Sequence, residues 1–285
     1  MQKPKKRLFI KIERNMLPQI SDRYPFLYLE RGRVEIDDSS VKWIDSEGNL
    51  VRLPSALLQT VLLGPGTSIT HEAVKVLTAS NTTVCWVGED SLLFYAVGTT
   101  PTSNTRNLRH QSKLASTEKS RLAVARRMFS ARFPEEDVET KSLSELMGME
   151  GLRVKAVYER LATEYGVGWK GRSYIPGKFE LSDMTNQIIT ASNVALYALI
   201  TSTVYHLGYS PHIGFIHSGS PLPFVYDLAD LYKEELCIDL AFKLTYEMGG
   251  IYNRHTVAEE FRERVIESNL LGRIPKDITS LLGEP

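Results

Sequence analysis

Three side chains able to hold a metal ion or move a proton fall within one short stretch, residues 214–233 (GFIHSGSPLPFVYDLADLYK). His217 lies in a bend rich in Gly, Ser and Pro. Asp227 follows ten residues later at the start of an apolar segment, and Asp230 three residues after that. A helix over 224–231 puts residues three apart on one face, so the two carboxylates point the same way and the preceding loop can fold His217 back over them. Imidazole with carboxylate oxygens is a donor set for a divalent cation. Each residue also has a plain reading: a hydrogen-bonded loop histidine, and acids near a helix N-terminus that favour its dipole.

Two ligands make a poor site, and the best third candidate is Glu150, flanked by Gly148 and Gly151 in a helical pattern. Each helical glycine costs ~1 kcal/mol against alanine, acceptable where another backbone or a substrate must come close. An exposed helical glutamate is the alternative. Glu150, His217 and Asp230 around Mg²⁺ or Mn²⁺ suit phosphoryl transfer, with the ion polarising a scissile phosphate and aligning an attacking hydroxyl. The other histidines (His71, His110, His206, His212, His255) share no spacing and read as structural or surface groups.

A phosphate-bearing substrate needs cations and rings near that ion. The segment at 169–174 supplies both: Trp169, Lys170, Arg172 and Tyr174. Rings stack on bases, and cations hold backbone phosphates. A packed loop anchored by Trp169 would look the same. Asn186 and Tyr197 lie on a very apolar segment, where a polar group needs a partner, either a site or the surrounding protein.

The elements that must position these groups change character along the chain. Residues 7–97 read as β-rich, with strands at 7–13, 26–30, 34–36, 41–44, 50–53, 57–63, 82–87 and 92–97 and a short helix capped by Thr70. Arg31-Gly32-Arg33 and the 45–49 segment read as hairpin turns. Residues 98–105 are polar and turn-rich. Beyond them the apolar period becomes helical, with helices at 108–133, 142–165, 183–207, 224–231 and 236–248, and shorter ones near 256–271 and 275–282. The reading is α+β: a β-rich N-terminal domain over 1–98, a linker at 99–107, and an all-α C-terminal domain over 108–285.

Composition bounds the rest. The chain has 285 residues, 42% hydrophobic and 24% charged, with zero net charge, which argues against a generic nucleic-acid-coating protein. Within 106–132, Arg109, Lys113, Lys119, Arg121, Arg126 and Arg127 stand against one acid, Glu118, which leaves room for local phosphate binding or a solvated helix face. No signal-peptide pattern is read at the basic start, and no apolar stretch is expected to approach the ~18–20 residues of a membrane span, the longest, 188–207, being broken by Asn193, Ser, Thr and His206. Cys85 and Cys237 sit in apolar segments with no metal or disulfide spacing, so the expected compartment is a reducing cytoplasm.

Longer motifs carry a family resemblance. GMEGLRVKAVY at 148–158, TNQ at 185–187 and GFIHSGSPLPFVYDLAD at 214–230 closely resemble the CRISPR-associated integrase family of spacer acquisition, nearest its subtype I-E branch. GPGT at 64–67, WVGE at 86–89 and RRMF at 126–129 extend the likeness over nearly the whole chain. The resemblance implies a sandwich-like N-terminal domain that mediates homodimerisation and a helical C-terminal catalytic domain. Glu150, His217 and Asp230 match the family's metal ligands and Asp227 its further essential acid. Arg172 and Tyr174 match DNA-contacting positions and Tyr197 a tyrosine near the reacting end; Trp169, Lys170 and Asn186 complete the candidate DNA-binding set. The implied reaction joins a protospacer 3′-OH to a phosphodiester of a CRISPR repeat. It is carried out by two dimers bridged by a small ferredoxin-like companion protein. A stand-alone nuclease on branched DNA and a non-catalytic DNA-binding scaffold are the alternatives. Ser68 and Ser220 stand where relatives carry cations, which puts the layout of the DNA track in question.

Overall fold

Strand β5 (Leu58–Leu63) is buried at every position, and the fold is built on its two faces. The computed structural model describes residues 17–38, 40–88, 94–100, 104–173, 179–249 and 251–285. One sheet has the order β1 (Tyr24–Leu29), β5, β7 (Thr83–Val87), β8 (Phe94–Gly98), with the first three strands parallel and β8 antiparallel. The second sheet runs β4 (Leu50–Leu53), β3 (Ser40–Asp45), β2 (Gly32–Asp37), β6 (Thr67–Ile69).

The two-residue period of a strand sends alternate side chains to opposite faces. Leu29, Val61, Leu63 and Val84 pack with Val34, Val41 and Leu53 of the second sheet and with Ala73 and Leu77 of α1 (His71–Ala79). Phe26, Leu62, Cys85 and Val87 face the other way and join the core of the helical region. A sheet covered on both faces needs near-continuous apolar strands, which is why β5 reads as an unbroken run.

That second face rests against α5 (Met184–His206), capped at its N-terminus by Asp183, whose carboxylate accepts from the Asn186 N–H. Its length and hydropathy would suffice to cross a membrane, and 83% of the apolar window is buried inside this protein. It is the core helix, and the expectation that no segment reaches a span's length and hydropathy is corrected. Around it lie α2 (Arg106–Ala115), α3 (Glu118–Arg132), α4 (Leu143–Tyr165), α6 (Pro223–Ala229), α7 (Asp239–Glu247), α8 (Arg254–Glu267) and α9 (Leu270–Leu282).

The α+β reading matches this architecture. The 31–33 hairpin does not: β1 and β2 lie in different sheets, and the chain turns the corner with Arg31 at φ 51°. The corner is tied down by Arg31 N–H donating to Pro65 O and Gly32 N–H to Gly66 O. Gly32 passes so close to Trp43 and Ile44 O that a Cβ has no room. The single helix over 108–133 is two, because Thr117 leaves the helical region and caps α3 by accepting from Ser120 N–H. The helix expected at 275 starts at Leu270 and runs through Pro275. A π-helical turn, Glu234–Ile238, precedes α7. The strand expected at 7–13 lies outside the described residues.

Sheet and helical core are also joined by polar groups. The Gln59 amide donates to Ser202 Oγ at 2.8 Å, and Thr83 Oγ1 lies 2.7 Å from the same oxygen, all three residues buried. Ser202→Ala removes a shared partner and should lower stability by roughly 1–3 kcal/mol, read as a shift in urea midpoint with unchanged slope.

Candidate active site

The loop before α6 is held by one carboxylate. Asp227 is fully buried. Its Oδ2 accepts from Phe215 N–H at 2.6 Å and Ile216 N–H at 3.2 Å. Its Oδ1 accepts from His217 N–H at 2.9 Å and lies 2.8 Å from His217 Nδ1. Pro223 opens α6, at a position where its missing N–H does no harm. Gly214 lets loop and helix touch: a Cβ there would stand 2.6 Å from Pro223 Cβ and 3.0 Å from Asp227 Oδ2.

Two consequences follow for His217. With Nδ1–H donating to Asp227, the neutral ring presents Nε2 as an acceptor, a carboxylate–histidine arrangement that fixes tautomer and orientation for a ligating imidazole. Nε2 faces Asp230 Oδ2 at 3.7 Å. The hydrogen bond to Asp227 also raises the His217 pKa above its ordinary 6.5; burial opposes this and Asp230 adds to it. Asp227 is taken up by the loop backbone and the His217 ring, so it orients the site.

Asp230 sits at the end of α6, its side chain 9% exposed. Its two oxygens have different neighbours. Oδ1 accepts from Lys233 Nζ at 2.7 Å. Oδ2 faces His217 on one side and Arg132 Nη1, at 3.9 Å, on the other. Burial alone would lower the pKa of the Lys233 ammonium, but the Asp230 carboxylate outweighs it and drives the value up. Lys233 also lies over the Tyr197 ring at 5.1 Å, and Tyr197 meets Tyr226 edge-to-face at 5.0 Å.

Glu150 comes from α4, whose start is set by a reciprocal capping box between Ser142 and Glu145. Its Oε1 accepts from Arg132 Nη1 at 2.5 Å. Glu150, His217 and Asp230 therefore face one site, but a guanidinium nitrogen stands between the two acids. Among the described residues no three acidic, histidine or cysteine side chains close on an ion as they stand. The donor types still fit a hard divalent ion: one imidazole nitrogen of fixed tautomer and two carboxylates, both largely buried and neutralised by a cation. Gly148 and Gly151 admit no close neighbour from within the chain, since a Cβ at either would meet nothing within 4 Å.

The expected DNA-contacting residues divide. Lys170 is exposed, and Tyr197 borders the acids. Arg172 donates to Asn186 Oδ1 at 2.7 Å and Thr190 Oγ1 at 2.8 Å. It lines a cleft of about 560 Å³ shared with Asn193, Tyr197, Tyr205, His212 and Tyr226. Asn186 is fully buried. Its amide oxygen accepts from Arg172 and Ser173 N–H and its nitrogen donates to Gly171 O and Asp183, so it positions Arg172 and offers nothing outward. Trp169 stacks on Tyr158 at 4.7 Å and meets Phe242 edge-on at 5.3 Å. It anchors the loop. Tyr174 lies outside the described residues.

The chain matches the family described as CRISPR associated protein Cas1 over residues 27–138 and 134–264. A "CRISPR-associated endonuclease Cas1 2" of Chlorobaculum tepidum is 63% identical over 278 residues, 98% of this chain and 94% of that protein. The chain belongs to the Cas1 family. Among solved structures of Cas1 proteins, the TtCas1-DNA complex superposes with a TM-score of 0.81 at 35% identity, covering 91% of this chain and 92% of that one. A casposase bound to integration product shares the fold, with a TM-score of 0.71 at 15% identity over 91% of each chain. Its relatives in the family carry the name CRISPR-associated endonuclease.

Sequence reasoning left two site residues unassigned. Lys233 was within reach of the helical i, i+3 ion-pair rule. Arg132 carries no local signal, since its partners lie on α4 and α6.

Asp227→Ala should cost roughly 3 kcal/mol by stranding three loop N–H groups and His217 Nδ1, read by chemical denaturation. Because His217 has a raised folded pKa, the stability it adds to the metal-free protein is fully present below pH 6.5 and is lost as pH rises through the folded value. The gap in melting temperature between the native chain and His217→Ala should therefore narrow above pH 6.5.

Proposed function

We propose that this Cas1 family member is a metal-dependent DNA integrase that joins protospacer 3′-OH ends to a CRISPR repeat by transesterification. The observation that carries the reading is the meeting of His217 Nε2, Asp230 and Glu150 at one site, with Asp227 fixing the tautomer of the histidine. Mg²⁺ or Mn²⁺ held by those three side chains would polarise the scissile phosphate and favour ionisation of the attacking hydroxyl.

The remaining work belongs to the protein. Asp227 holds His217 Nδ1–H and keeps Nε2 available. Lys233 holds one oxygen of Asp230 and sets its direction. Tyr197, Tyr226 and Arg172 line one cleft, and Tyr226 also meets the His217 ring edge-on at 6.0 Å, so a strand end can lie against the rings with a phosphate near the cation. In the reaction a new bond forms from the attacking 3′-oxygen to phosphorus as an existing P–O bond breaks. The number of phosphodiesters is unchanged and no external energy source is needed. Water in place of the hydroxyl gives hydrolysis, which accords with the endonuclease name of the relatives.

The proposal includes the assembly: a homodimer through the β-rich region, two dimers bridged by a ferredoxin-like companion, with protospacer and leader–repeat DNA as substrates, in the cytoplasm. A stand-alone nuclease on branched DNA is the second reading. A complete donor set argues against a non-catalytic scaffold.

Strand transfer of a short duplex into a repeat-bearing plasmid, run beside cleavage of branched DNA, separates the readings. Strand transfer should require Mg²⁺ or Mn²⁺ and fall about a hundredfold or more in Glu150→Ala and Asp230→Ala. Full activity in either variant would remove the assigned site, and cleavage without strand transfer would favour the nuclease.

A further inference from the structure

We propose that Arg132 is the exchangeable counter-ion of the metal centre: its guanidinium holds the ion's place between Glu150 and Asp230 and must withdraw for the ion to bind. The inference rests on the metal-centre reading above. It assigns Arg132, at the C-terminal end of α3, as the residue that sets metal affinity.

The geometry points to competition rather than support. A single nitrogen, Nη1, lies 2.5 Å from Glu150 Oε1 and 3.9 Å from Asp230 Oδ2. That Asp230 oxygen is the one that faces His217 Nε2 at 3.7 Å. Metal–oxygen bonds to Mg²⁺ are about 2.0–2.1 Å. An ion held by both acids and the imidazole would compete with the Arg132 guanidinium for the same carboxylates, and two cations there would repel strongly in a buried setting.

The side chain is 9% exposed, against 17% for Glu150 and 9% for Asp230, so the two acids need a cation when no metal is bound. Arginine cannot vacate the place by losing a proton; it has to move. Lys233 is a different case. It holds Oδ1, leaves Oδ2 open, and can stay when an ion binds.

The guanidinium's other contact is loose, a stack over the neighbouring Phe133 ring at 5.0 Å. Arg153 lies 5.0 Å over the same ring and pairs with Glu136. The carboxylates are thus what hold Arg132 inward, and a divalent ion replaces that hold. Metal affinity of the native chain is reduced by the fraction of time the arginine spends withdrawn; a withdrawn state populated at about 10% weakens apparent binding about tenfold.

The test is Mn²⁺ binding to the full chain by calorimetry, with melting temperatures taken with and without Mn²⁺. Arg132→Gln should bind Mn²⁺ about tenfold more tightly than the native chain, melt lower without metal, and recover with it. Arg132→Lys, which keeps a charge on a shorter reach, should show a smaller gain and carries the test if the glutamine variant does not fold. Equal or weaker Mn²⁺ binding in the folded variant overturns the exchange. Glu150→Gln distinguishes the two levels. If it leaves Mn²⁺ binding unchanged, the metal centre itself is wrong and the exchange falls with it. If it weakens binding while the Arg132 variants show no gain, only the exchange is lost.

Discussion

The carboxylate of Asp227 is the interaction on which the rest of the site depends. Burying it completely is tolerable because three backbone N–H groups and an imidazole meet its two oxygens. Those partners are a loop of no regular structure, so one charge converts residues 214–217 into a fixed platform. The position of His217, its tautomer and the free direction of Nε2 all derive from it. Gly214 is the steric condition of the arrangement, because any side chain there would separate the loop from the helix that carries the acid.

The scaffold beneath this platform has to be rigid, and α5 makes it so. It meets the central sheet on one side, through the buried Ser202 cluster, and α6, α7, α8 and α9 elsewhere. The sheet is covered on both faces, once by the second sheet and once by the helical core. The core of the β-rich region thus continues into the helices. The short α6 ends at Asp230, and the π-helical turn begins directly after Lys233.

The site is a charge-balanced cluster. Two acids, a raised-pKa histidine and two cations, Arg132 and Lys233, lie within a few ångströms, mostly out of water. In such surroundings an uncompensated charge is costly, so each acid has a cation of its own, Arg132 for Glu150 and Lys233 for Asp230. The division of labour within Asp230, with one oxygen given to Lys233 and the other left toward His217, separates a structural ion pair from a ligating face.

Much was legible in the sequence because it is local. The change of apolar period separates strands from helices, capping residues such as Thr70, Ser142 and Asp183 mark helix starts, and the three-residue step from Asp227 to Asp230 fixes their shared face. The family motifs named the acids and the histidine. Tertiary structure alone decided what depends on contacts between distant segments: that β1 and β2 part into different sheets, and that Asp227 turns inward to clamp a loop while Asp230 faces the site. It also decided that Asn186 holds Arg172, that Trp169 packs on Tyr158 and Phe242, and that Arg132 comes from α3 to stand between acids on α4 and α6. Periodicity and capping report the chain's own neighbours, whereas the partner of a buried charge is set by which helices pack together.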